Sequence, residues 1–193
     1  STVQGGQKDW AIGPTEWDVY PQNTDTDLGM HTSNCMTVPG GPCSELFFSE
    51  YIEGSSNNKA MEIYNPTGAS VDLSDYVVYR ANNGAATPGD SLHPTGMLAS
   101  GDVYVLGNAS GDPLILAQTD TTTTITFYNG DDAIWLVNKV SGDTVDIIGE
   151  IGVDPGTNWT VGTGATSEYT LVRKVTVQSG TTDWTTSVGQ WDV

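Results

Sequence analysis

Short apolar runs, none longer than seven residues, alternate with turn signals through most of the chain. They fall at residues 46–52, 60–64, 76–80, 103–106, 125–128, 133–137, 144–148 and 169–174. Helices of ten or more residues do not fit between such breaks, whereas strands of four to eight do. The breaks carry Gly, Pro, Asn or Asp where the chain must reverse: Asn65-Pro66-Thr67-Gly68, Asn82-Asn83-Gly84, Asn129-Gly130-Asp131, Ser141-Gly142-Asp143 and Asp154-Pro155-Gly156. Eight short strands predict an all-β sandwich or barrel, with a hairpin at Ser141-Gly142-Asp143. Residues 114–118 are the one stretch expected to form a turn of helix.

The ends of the chain add a second constraint. Thr2-Val3-Gln4, Gly6, Asp9-Trp10 and Trp17-Asp18-Val19 recur as Thr176-Val177-Gln178, Gly180, Asp183-Trp184 and Trp191-Asp192-Val193, at a constant offset of 174. Nine of eighteen positions agree without a gap, two of them tryptophans, so chance is a poor explanation. The expectation is a window from an array of period 174. Residues 1–32 are then the closing segment of a preceding repeat, or an arm between modules or subunits. Residues 33–45, rich in Gly, Pro and small polar residues, are a linker, and the main module occupies 46–193.

Composition narrows the partners. Six basic residues against 24 acidic ones give a net charge of −18, which repels nucleic acid and anionic membrane surfaces. No apolar stretch approaches membrane-spanning length. The two cysteines, Cys35 and Cys43, flank a turn-rich segment; a disulfide and an oxidising compartment are expected, with two free thiols in a cytosolic loop as the alternative.

No catalytic constellation is expected. His31 and His93 are the only histidines, and no nucleophile motif accompanies either. Calcium is a candidate ligand for the surplus acids, because it takes six to eight oxygens from carboxylates and turn carbonyls. Glu50, Glu53, Asp131 and Asp132 are the expected ligands, against the plainer reading that Asp131 and Asp132 cap a turn. Trp10, Trp17, Trp184 and Trp191 are expected at packing contacts between modules, or in the core; a sugar-stacking face is the alternative. Asn108 and Asn158 stand in N-glycosylation patterns of low specificity.

The string LFFSEYIEGSSNNKAMEIYNPT at 46–67 resembles the opening of the lamin-tail domain in its bacterial secreted form. VDLS at 71–74, LASGDVYVL at 98–106, NGDDA at 129–133, VDIIG at 145–149 and TLVRK at 170–174 continue the resemblance. Trp17-Asp18-Val19-Tyr20-Pro21 with Leu28-Gly29-Met30-His31 looks like the tail of another such module. The resemblance implies an immunoglobulin-like β-sandwich with an extended N-terminal segment, not known as catalytic, accompanying secreted nucleases, phosphatases and surface proteins. The expected role is a structural or adhesive repeat unit at the cell surface, partnered by copies of itself. The rivals are a binding accessory of a secreted enzyme and a polysaccharide-binding module.

Overall fold

A computed structural model describes residues 22–35 and 43–193. Its strands are β1 (Phe47–Glu53), β2 (Lys59–Tyr64), β3 (Val71–Asp72), β4 (Tyr76–Ala81), β5 (Asp90–Leu92), β6 (Met97–Leu98), β7 (Val103–Gly107), β8 (Thr121–Thr122), β9 (Ala133–Asn138), β10 (Thr144–Ile148), β11 (Thr160–Val161), β12 (Gly164–Ala165), β13 (Tyr169–Arg173) and β14 (Trp191–Asp192). Two short helices, α1 (Pro113–Gln118) and α2 (Trp184–Ser187), lie between them. One sheet has the order β14-β13-β1-β2-β7-β8 and the second β10-β9-β4-β5. The two are the layers of a sandwich of the immunoglobulin-like kind, and β9 and β10 form the expected hairpin.

The interior is filled from both layers, with Phe48, Tyr51, Met61, Ile63, Leu106 and Leu171 meeting Val78, Ile134, Leu136 and Ile148. Simple alternation cannot send both Phe48 and Tyr51 inward, since they are three residues apart. A bulge in the β1–β2 register between Phe48 and Glu50 resolves this, and it leaves Ser49 and Glu50 on the outer face opposite Glu62.

That outer face is covered. Residues 22–31 cross it, and Leu28 packs with Ile52, Ala60, Val105 and Ile115 in a second apolar cluster. Every residue of β1 and β2 is therefore buried, as in a strand covered on both sides. Asn34 N–H donates to the Val175 carbonyl at 2.9 Å and ties the next residues to the far end of the chain. Residues 22–32, expected in the arm, are thus part of the module, because Leu28 supplies the apolar cover the sheet needs. The arm expectation now concerns residues 1–21, which lie outside the described residues.

Two local expectations are corrected. Residues 125–128 are not a strand: Thr124–Thr126 is a 3₁₀ turn, begun by Thr123, whose hydroxyl accepts the Ile125 N–H at 3.2 Å. The three-residue spacing then brings Ile125 and Tyr128 to the core together, with Tyr128 stacked on Tyr51 at 4.6 Å and its hydroxyl donating to the Ile52 and Ala60 carbonyls. Helix α2 has no signal in the sequence, because Trp-Thr-Thr-Ser has strand-like propensity. Asp183 overrides that as N-cap, accepting from the Thr185 N–H at 3.0 Å.

Candidate functional site

Cys35 and Cys43 are joined in a disulfide with their Cα atoms 5.8 Å apart, which implies an oxidising compartment. Among the described residues no helix is long and apolar enough to cross a membrane.

The four expected calcium ligands do not assemble into one site. Glu53 pairs with Lys59 and accepts the Glu168 N–H at 2.6 Å, which occupies both of its oxygens. Asp132 pairs with Arg80 at 3.0 Å and accepts the Asn83 N–H at 3.1 Å, so it anchors a turn. Asp131 beside it is buried, with Oδ1 unpartnered, and its carboxyl is pushed up first by burial and then by the Asp132 charge. Glu50 lies elsewhere, on the outer face of the first sheet. Among the described residues no three His, Cys, Asp or Glu side chains form a ready-made metal cage.

Glu50 has the acidic surroundings that sequence spacing did not reveal. It is 1% exposed, and its cross-strand partner Glu62 is fully buried. Glu62 accepts the Ser49 hydroxyl at 2.6 Å and the Gly29 N–H at 2.7 Å, whereas Glu50 Oε1 has no partner. Burial pushes Glu50 up to about 9, with Glu62, Asp27 and Asp25 adding to the rise in that order. Glu62 rises to about 7 by burial, held back by its bonds to Ser49 and Gly29. A polar cleft of about 160 Å³, lined by Asn23, Asp25, Asn58, Asp112, Leu114 and Ile115, opens beside this cluster. Asp25 and Asp27 carry no motif; they belong to the segment 22–31 that covers the sheet, and their charges add to the rise at Glu50.

The repeated tryptophans form the other candidate surface. Trp184 packs edge-on against Trp159 at 6.0 Å, and Trp191 lies over the Arg173 guanidinium at 3.8 Å. Both rings are buried in their own module, which corrects the expectation of inter-module contacts for these two and removes them as a sugar platform. Trp10 and Trp17 lie outside the described residues. Arg173 is itself fully buried; it pairs with Asp146 and donates to the Phe48 carbonyl at 2.9 Å and the Gln190 side chain at 2.7 Å.

Eight of the nine repeated residues have a role in seating this closing segment, the exception being exposed Thr176. Val177 and Val193 are buried, Gln178 donates to the Asn34 carbonyl at 3.2 Å, and Asp192 pairs with Val172 across β13 and β14. Asp183 caps α2, and the two tryptophans fill the core. Gly180 passes so close to β10 that a Cβ there would sit 2.4 Å from Asp146 Cβ, so a side chain is excluded.

His31 lies edge-on to Tyr64 at 4.8 Å and Phe47 at 6.0 Å, lowered to about 4 by burial and then by Arg173, and His93 is exposed. Asn108 is buried, and its Oδ1 accepts the Ser110 N–H at 2.9 Å. Asn158 is half-buried, and its Nδ2 donates to Ser167 at 2.9 Å.

The family model described as Lamin Tail Domain matches residues 40–152. No curated protein matches the chain. The sandwich continues beyond the matched stretch, since β13 pairs with β1 at Glu50 to Glu53. With more than half of the chain matched, and the sandwich that the motif at 46–67 implies in place, the chain belongs to the lamin tail domain family.

Proposed function

We propose that this chain is a non-catalytic structural unit of an extracellular tandem array or fibre, and that residues 1–19 serve as the closing segment of a second module of the same kind. The observation that carries the proposal is the role of the repeated residues: what the N-terminal copy keeps is what seats the C-terminal copy on its sandwich. Gly6 matches the glycine that must pass Asp146, Asp9 the helix cap, Trp10 and Trp17 the two core rings, and Val19 the buried terminus. Glu16 replaces Gln190 and still offers an oxygen to an arginine in the position of Arg173.

A segment that closes a partner by adding to its sheet couples modules through main-chain hydrogen bonds and buried anchors. Such a contact joins different surfaces on the two partners, so it propagates head to tail. The disulfide and the acidic surface agree with an extracellular setting.

The test compares the full chain with a chain starting at residue 22, which retains the covering segment that the sandwich needs. Electron microscopy and light scattering should find assemblies in the full chain and monomers after the deletion. Trp10→Ala with Trp17→Ala should reproduce the deletion. Filaments formed equally well by the shortened chain would overturn the proposal.

A further inference from the structure

The outer face of the first sheet holds two acids whose protonation is decided by the donors around them. Glu50 and Glu62 are directly opposed residues of β1 and β2, 1% and 0% exposed. Like charges in opposition destabilise a strand pair, and burial penalises each charge again, so the two do not ionise together without cost. Their donors are unequal. Glu62 Oε1 accepts the Ser49 hydroxyl at 2.6 Å and its Oε2 the Gly29 N–H at 2.7 Å, which is the pattern of an ionised carboxylate. Glu50 Oε1 has no partner at all. The neighbouring residues on β13 and β7 are Val172 and Val105, and the basic residues of these strands are engaged elsewhere, Lys59 with Glu53 and Arg173 with Asp146. The further charges that act on the pair are negative too: Asp25 and Asp27 of the covering segment, and Asp120 before β8.

The covering segment bridges the strand that carries Glu50. On one side the Thr170 hydroxyl of β13 donates to the Thr24 carbonyl at 2.9 Å, and on the other Gly29 is fastened to Glu62 of β2. Strand β1 runs between those two strands, so the chain from Thr24 to Gly29 crosses it. Leu28 seals the crossing against Ile52 and Ala60, which follow Glu50 and Glu62 on the same face. The segment is thus tied down by an acid that is itself opposed to a buried acid.

We infer that the Glu50–Glu62 pair is a pH-set fastening for residues 22–31: Glu50 is held as a neutral acid beneath the segment, and its ionisation loosens the cover. When Glu50 gives up its proton, a second buried negative charge faces Glu62 without a donor to receive it. Lifting the segment lets water reach both carboxylates and removes that penalty. Burial, with the Glu62 charge next, pushes Glu50 up to about 9, whereas burial takes Glu62 only to about 7 against its bonds to Ser49 and Gly29. An acid raised in this way supports the covered form most below its ordinary value of 4.5, and the support is lost as pH rises towards 9. His31, lowered to about 4, stays neutral above pH 6 and does not contribute there. The cover is therefore firm in acid and loosens in alkali. This inference stands independently of the array proposal, since it concerns one chain only.

The test is hydrogen exchange of the full chain between pH 7 and pH 9, read on peptides from residues 22–35 and expressed as protection factors so that the intrinsic pH dependence of exchange drops out. Protection there should fall at least about tenfold over this range, while β4 and β9 of the other sheet keep theirs. Glu50→Gln places a neutral amide where the neutral acid stood, and should hold protection at pH 9 within about threefold of its value at pH 7. Asp143→Asn, in a distant exposed turn, should loosen as the parent does. Carbon-13 NMR of glutamate-labelled protein should show a side-chain carboxyl that titrates above pH 7 and is missing from Glu50→Gln. Constant protection in the parent would overturn the inference, and so would a loss in Glu50→Gln equal to the parent's. If that variant does not fold, the parent's NMR titration decides: no glutamate carboxyl titrating above pH 7 refutes the fastening.

Discussion

Replacing Arg173 by methionine tests the packing argument most directly, because this side chain joins four parts of the fold. Its guanidinium pairs with Asp146 of β10, donates to the Phe48 carbonyl of β1, and reaches Ser187 and Gln190 of the closing segment while Trp191 covers its face. Methionine retains much of the stem's packing and removes the charge. Asp146 is then a fully buried carboxylate left with backbone N–H donors alone, from Phe48 at 2.8 Å and Thr181 at 3.1 Å. Breaking one side of a buried pair costs about 3–5 kcal/mol, and losing a desolvated cation over an indole about 1–2 more. Some of that returns as Asp146 takes up a proton, so about 4 kcal/mol is the expected net loss. For a domain of this size 1 kcal/mol moves the melting temperature by roughly 2–4 °C, which predicts a fall of roughly 8–16 °C. Adding Asp146→Asn should recover part of it, since the orphaned charge goes while one acceptor stays. Hydrogen exchange should locate the loosening at residues 181–191. A melting temperature within about 2 °C of the parent, or no recovery in the double variant, would refute the reasoning.

Other consequences follow from the same contacts. Leu28→Ala should cost about 2–5 kcal/mol in urea unfolding, as for a buried leucine elsewhere, and should speed proteolysis within residues 22–35; a loss under about 0.5 kcal/mol would mean that the segment does not cover the sheet. Cys35→Ser with Cys43→Ser should lower stability by no more than about 2–3 kcal/mol, because the bond closes a loop of only eight residues' separation, and the parent should show the bond in non-reducing peptide maps. His31, lowered from 6.5 to about 4 by burial and Arg173, binds its proton more weakly folded than unfolded. Its contribution is present above pH 6.5 and is lost as pH falls towards 4, a change of no more than about 3 kcal/mol. The stability gap between the parent and His31→Gln should therefore narrow between pH 7 and pH 5, and a gap that stays constant would exclude this origin.

The sandwich was legible in the sequence because its strands are short, β-branched and separated by turns whose Gly and Asn residues have few other uses. The boundaries of seven of the eight expected runs fall within two residues of a strand. The eighth was lost to Thr123, a single side-chain cap that hydropathy does not register. The acidic site was half legible. Glu50 was singled out, but it was grouped with Glu53 as part of one strand, and the bulge beside Glu50 together with strand alternation sends the two to opposite faces. Asp25 and Asp27 were invisible as partners, since residues 22–31 reach the sheet by a tertiary contact that no local pattern announces. The repeat was fully visible, yet its meaning was not: only the buried positions of Trp184 and Trp191 separate a core segment from an exposed binding face.

Those buried positions bear on what the first copy can do. The seat on this sandwich is filled by Val177, Trp184, Trp191 and Val193, so a second segment of the same kind has no room there unless the first leaves. On the proposed reading, residues 1–19 therefore act on a different sandwich. Two arrangements meet that condition: a preceding module in the same polypeptide, or another molecule that exchanges its own closing segment. They differ in one measurable respect. Exchange between molecules must break the Arg173 contacts of the resident segment first, so assembly should accelerate when those contacts are weakened. A covalent array has nothing to displace, and Arg173→Met should leave its length unchanged while lowering its melting temperature. Measuring assembly rate in that one variant decides between them: acceleration excludes the array, and an unchanged product excludes exchange.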